Sequence, residues 1–204
     1  MLKKDGFSLI EISIVLIIIG LLIAAVVAGA SMIRSAKVSS LITEIREYRT
    51  ASASFLVRYG EYPGDGSKIT NDISNGLSIN DAGNNDGIIG NVMSEKPYLE
   101  KESYEFFKHL SVVGMILFKS EAPSDGNNLS SLNDVIIGKT YPGTKLGEQY
   151  FFYIDSSDLY GLFESKNKLA IYNKNTNVSG IDGELMEIFN RKFSDKTFFS
   201  NFVQ

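Results

Sequence analysis

The order of apolar and polar positions divides the chain into three regimes. From Ile12 to Ala30 it is continuously apolar, with no charge, no proline and one hydroxyl, Ser13. At ~1.5 Å of rise per residue that run alone nearly crosses a ~30 Å hydrocarbon core, and Phe7 to Ile10 complete the span. From Ser31 the pattern becomes periodic. Ile33, Val38, Leu41, Ile42, Ile45, Tyr48, Ala51, Phe55, Leu56 and Tyr59 recur at mostly three- and four-residue steps, while Arg34, Lys37, Glu44, Arg46, Glu47 and Arg58 fill much of the other face. This is the pattern of a helix packed along one side. No proline lies between Phe7 and Tyr62, so both segments are predicted to form one helix of ~80 Å. Gly60 and the break Tyr62-Pro63-Gly64-Asp65 end it.

Beyond the break, residues 64–96 are rich in Gly, Asn, Asp and Ser with isolated apolar anchors. They are predicted to form a long ordered loop, a kind of segment that is often functional. Helical spacing returns from Glu95 to Val113, with Ser94 as N-cap and Gly114 after the end. Short aromatic and branched runs at Gln149–Asp155, Leu159–Ser165 and Lys168–Asn173 read as strands joined at 156–158 and 166–167. Ile181 to Phe193 returns to helical spacing, and the tail Phe198-Phe199-Ser200-Asn201-Phe202-Val203 is apolar enough to dock or to bind a partner. The predicted fold class is α+β: a long N-terminal α-helix, membrane-spanning in its first half, packed on an antiparallel β-sheet.

One charge interrupts the apolar start. An ionised Glu11 at bilayer depth is costly and normally has a partner and a function. Lys3 and Lys4 precede the run, which places them in the cytoplasm and exports the remainder. Were the chain cut after Gly6, the new terminus would be the α-amine of Phe7, largely cationic near neutral pH. Glu11 would then lie ~6 Å further along the helix. Within one helix the amine sits at the end and the acid points sideways. Between two staggered copies they could pair, which neutralises both charges in an apolar setting.

The stretch Lys3-Lys4-Asp5-Gly6-Phe7-Ser8-Leu9-Ile10-Glu11, followed by an apolar helix, resembles the leader signal of type IV pilins and type II secretion pseudopilins. The resemblance implies a leader at 1–6, a transmembrane assembly helix at 7–30 and a soluble pilin-like domain at 31–204, with 31–60 continuing the helix. It also implies that a prepilin peptidase cuts after Gly6 and methylates Phe7, and that Glu11 pairs with a neighbouring subunit's terminus. The implied partners are other pilin or pseudopilin subunits, the peptidase, an inner-membrane assembly platform and membrane lipid. The implied location is the bacterial inner membrane with a periplasmic soluble domain, and then a filament. Tyr62-Pro63-Gly64-Asp65 and Gly83-Asn84-Asn85-Asp86-Gly87-Ile88 also resemble elements of a subset of pilin-like proteins. The competing readings are a plain signal anchor and an ordinary signal peptide cut after Ala28-Gly29-Ala30, either one delivering a binding module. The length of the run and the place of Glu11 count against the signal peptide.

Composition alters this picture little. A net charge of −4 gives no electrostatic footprint for nucleic acid. Cysteine is absent, so no disulfide closes the exported fold and thiol chemistry is excluded. The resemblance then lies nearer pseudopilins than pilins with a disulfide loop. His109 is the one histidine, on the second helix, and reads as a structural residue. No nucleophile motif or phosphate loop occurs, so no enzyme is expected. No cofactor is expected either. Calcium would find Asp81, Asn84 and Asp86 before Gly87, oxygen ligands on a tight loop. The EF-hand spacing fails there, because Ala82 and Met93 fall on the first and last ligand positions, and turn geometry alone explains such residues.

Overall fold

The computed structural model describes residues 7–69, 77–90, 96–155, 168–175, 178–179 and 188. The chain forms two compact units, Met1–Lys37 and Val38–Gln204. Helix α1, Leu9–Tyr59, is unbroken over 51 residues and supplies the first unit and the start of the second. After Glu11 its first half is apolar on every face, and none of the most apolar window is buried by the chain. Leu9, Leu16, Ile17, Leu21, Val26 and Val27 all lie mostly exposed.

In the second unit the same helix becomes one-sided. Val38, Leu41, Ile42, Ile45, Ala51 and Phe55 are buried, as the three- and four-residue spacing requires, whereas Ile33, expected on the same face, is exposed because it precedes the packed part of the helix. Gly60, in the left-handed region at φ 74°, ends the helix as its N–H reaches the Leu56 carbonyl. Tyr48 meets Phe107 edge-on at 5.5 Å and Phe152 at 5.1 Å, so one side chain of α1 touches both other layers of the core.

The second helix, α2, runs Lys101–Val112, starting later than the expected Glu95. A separate 3₁₀ turn, Pro97–Leu99, precedes it, and Glu100 stands between them with extended backbone. The cap is not local. The Asn128 side chain accepts from the Lys101 N–H at 2.8 Å and donates to Glu100 at 2.8 Å. At the other end, Gly114 is left-handed, its N–H bonds Ser111 and that of Met115 bonds Leu110, the paired arrangement that satisfies the last carbonyls.

Among the described residues four antiparallel strands form one sheet in chain order: β1 Gly143–Thr144, β2 Gly147–Asp155, β3 Lys168–Asn173 and β4 Val178–Ser179. β2 pairs directly with β3, from Tyr150↔Asn173 to Asp155↔Lys168. The expected strand Leu159–Ser165 falls within residues 156–167, which lie outside the described residues. The expected helix Ile181–Phe193 (apart from Ile188) and the apolar tail lie outside them as well. Phe151, Phe152, Ile154, Ala170 and Ile171 are buried, and an aromatic group of Tyr98, Tyr141, Phe151 and Tyr172 closes one end. There the Tyr141 hydroxyl donates to the Tyr98 carbonyl at 2.7 Å.

Candidate functional site

Two constellations carry the residues singled out in the sequence. The first is the start of α1. Ser8 precedes the helix and its Oγ accepts from the Ile10 N–H at 3.3 Å, while the Ser8 N–H donates to Glu11 Oε2 at 2.8 Å. Ser-x-x-Glu is the capping-box pattern, in which the acid three residues on reaches back to an otherwise unpaired amide. Glu11 thus faces the end of α1 where the helix dipole is positive, with Phe7 exposed beside it. Gly6 lies outside the described residues.

The second constellation is the break after α1, where loop and helix are laced together by carboxylates. The Asp65 carboxylate, buried, accepts from the Asp86 and Gly87 N–H groups at 3.0 Å each, and the Asp65 carbonyl accepts from Asn85 at 3.0 Å. Glu102 on α2 accepts from the Asn84 N–H at 3.0 Å and the Gly90 N–H at 2.8 Å. Two acids therefore hold residues 84–90 by backbone amides, the geometry in which a buried carboxylate keeps its hydrogen bonds. Burial raises the pKa of both Asp65 and Glu102 despite these donors.

Lys108 and His109 of α2 hold the other end of the loop. Lys108 Nζ meets Asp81 Oδ1 at 2.6 Å, and the Ser78 N–H donates to the other Asp81 oxygen at 2.6 Å. Burial opposes the charge on Asp81, but Lys108 and Ser78 outweigh it and lower its pKa. His109 Nδ1 accepts from the Gly64 N–H at 3.0 Å, which leaves Nε2 as the protonated nitrogen, and Nε2 donates to the Asp81 carbonyl at 3.0 Å. One buried imidazole so joins the Pro63-Gly64-Asp65 turn to the 79–81 turn. Burial holds its pKa down to about 4.

The fit is close at two glycines. A Cβ on Gly83 would lie 2.4 Å from the carbonyl oxygens of both Gly64 and Asp65. Gly64 has φ 84°, and a Cβ there would meet the Glu102 carbonyl at 2.4 Å.

Residues 1–27 match the family model described as the prokaryotic N-terminal methylation motif. They are the prepilin-type signal of type IV pilins and pseudopilins. Neither the curated proteins nor the solved structures include a match to the chain. The motif supports a pilin-like or pseudopilin precursor.

Within that prepilin-type signal the structure brings Phe7, Ser8 and Glu11 together at the helix start. The Ser8 contact was missed at the sequence level, although Ser8-Leu9-Ile10-Glu11 spells the capping box. Of the calcium candidates, Asp81 is buried and paired with Lys108. Asn84 and Asp86 instead line an open cleft with Glu100, Glu102 and Asn128. Among the described residues no three acidic or histidine side chains gather at metal-ligand spacing. The partners of the loop were not foreseen either, because Asp65, Glu102 and His109 are far from it in sequence.

Gly83→Ala is expected to destabilise the soluble domain by about 1–3 kcal/mol through overpacking, read from denaturant unfolding; an unchanged midpoint would contradict the tight fit. His109, the single histidine, is expected to show an imidazole NMR signal of the neutral Nε2–H form at neutral pH. It should titrate near pH 4, and titration near the ordinary 6.5 would place the ring in water instead.

Proposed function

We propose that the chain is the precursor of a filament subunit, of a type IV pilus or a type II secretion pseudopilus. In this reading a prepilin peptidase cuts after Gly6, Phe7 becomes the N-methylated terminus, and the subunits polymerise through α1 from an inner-membrane platform. The observation that carries it is the prepilin-type signal at residues 1–27. The uncovered apolar surface of α1 supports it: such a surface needs lipid before assembly and other subunits after it. The soluble domain is periplasmic in this account, and the filament is its final location.

Glu11 gains a more specific role from its cap. In the single chain its carboxylate holds the Ser8 amide, which lowers the cost of carrying an acid into the bilayer. A neighbour's terminal ammonium would offer a full charge in place of, or beside, that amide. A charged partner in an apolar setting is the stronger one. Capping and pairing can be separated by substitution, since Gln can fill the same capping-box position as Glu but carries no charge.

Glu11→Ala and Glu11→Gln are therefore both expected to be processed and inserted normally, and both to be lost from filaments by at least ~10-fold in sheared or cross-linked fractions, as removal of a charge-assisted contact implies. Incorporation of Glu11→Gln at the native level would show that capping, and not charge pairing, is what Glu11 supplies.

A further inference from the structure

The polar face of α2 contains one side chain that the loop contacts do not use. Glu105 is fully buried, and neither carboxyl oxygen has a hydrogen-bond partner. The donors around it are committed elsewhere. A lysine ammonium has three protons, and Lys108 Nζ already meets Asp81 Oδ1 at 2.6 Å, Ser124 Oγ at 2.6 Å and the Pro123 carbonyl at 3.2 Å. Glu105 Oε1 stands 3.5 Å from that nitrogen. His109 Nε2 is 3.9 Å from Glu105 Oε2, but its proton goes to the Asp81 carbonyl. The titratable and charged groups that act on Glu105 are Lys101, Tyr104, Lys108 and His109 on α2 itself and Asp81 on the loop packed against it. Asp81 already balances Lys108. A second anion there would be desolvated and beside a like charge, and Lys108, 3.5 Å away and already paired with Asp81, offsets this only in part.

We propose that Glu105 is a proton-operated release for the loop held on α2. Protonated, it lies neutral beneath the loop and the committed donors stay where they are. Ionised, it draws one of them away: Lys108 from Ser124 and Pro123, or the His109 Nε2–H from the Asp81 carbonyl. Either exchange removes a contact between α2 and a loop, and the proton lost goes to solvent. The carboxyl O–H bond is the one that breaks, its proton taken up by water. The elements loosened are the 77–90 loop and the segment at 123–124, both at the surface, while the aromatic core around Phe107 keeps its packing.

Burial pushes the Glu105 carboxyl from 4.5 up to about 8. Its folded pKa lies above its unfolded one, so its contribution to stability is complete below 4.5 and is lost as pH rises through about 8. His109 is shifted the other way and changes stability only below its unfolded pKa of 6.5. Between about pH 6.5 and about pH 8.5 the two do not overlap.

The test uses the full chain in detergent micelles. Thermal unfolding at those two pH values is compared for the wild type and Glu105→Gln, which is neutral at both. The wild-type midpoint is expected to fall by about 5 °C or more across the window, and that of the variant by less than half as much. Hydrogen exchange corrected for pH is expected to quicken in peptides covering 77–90 before those of α1. Equal shifts in both proteins would overturn the proposal, as would loss of protection spread evenly over the domain. Should Glu105→Gln not fold, a carboxyl-carbon NMR titration of the wild type decides it. A glutamate with a midpoint near 8 supports the release, and a full set of glutamates titrating in the ordinary carboxylate range ends it.

Discussion

Apolar surface left in water costs about 25 cal/mol for each Å², and the first half of α1 leaves nearly all of its side chains uncovered. That surface is left uncovered by the described residues of the chain. It requires lipid or other helices, and this requirement arranges the rest of the molecule. Glu11 sits near the start of the apolar stretch, where an acid is tolerable only with a partner, and the partner it finds within the chain is the Ser8 amide. From Val38 onward the same helix has an outer face that water accepts and an inner face that the core covers.

The second unit meets a second constraint, that α2 is buried from Glu102 to Leu110. One side carries Tyr104, Phe107 and Leu110 into the core. The other carries Lys101, half-buried, and Glu102, Glu105, Lys108 and His109, all buried. Loop backbone takes the place of solvent. Asn84 and Gly90 donate to Glu102, Gly64 donates to His109, Ala82 accepts from Lys101, and Asp81 balances Lys108. A chain without disulfides thereby fixes a long Gly-, Asn- and Asp-rich connection through buried polar contacts. Contacts of this kind hold firmly while every donor and acceptor is matched. Glu105 is the unmatched member.

Much of the architecture was legible because its signals are local. The unbroken apolar run, the periodic stripe through Phe55, the stop at Gly60 and the strands at 149–155 and 168–173 follow from spacing within a few residues. The misreadings have non-local causes. α2 begins at Lys101 rather than Glu95 because Asn128 caps it from a distant part of the chain. Asn84, Asp86 and Gly87 looked like calcium-loop or turn residues. What their composition could not show is that their amides face the carboxylates of Asp65 and Glu102. The Ser8–Glu11 cap was available from spacing alone, but the charge of Glu11 drew attention away from its geometry.

The central claim is that residues 1–27 act as a prepilin signal, and the mature terminus of the protein recovered from cell envelopes tests it most directly. Mass spectrometry of that material is predicted to show a chain beginning at an N-methylated Phe7, with residues 1–6 removed. A chain beginning at Ser31, or one that retains residues 1–6, would contradict the account and leave α1 as a secretion signal or a simple anchor.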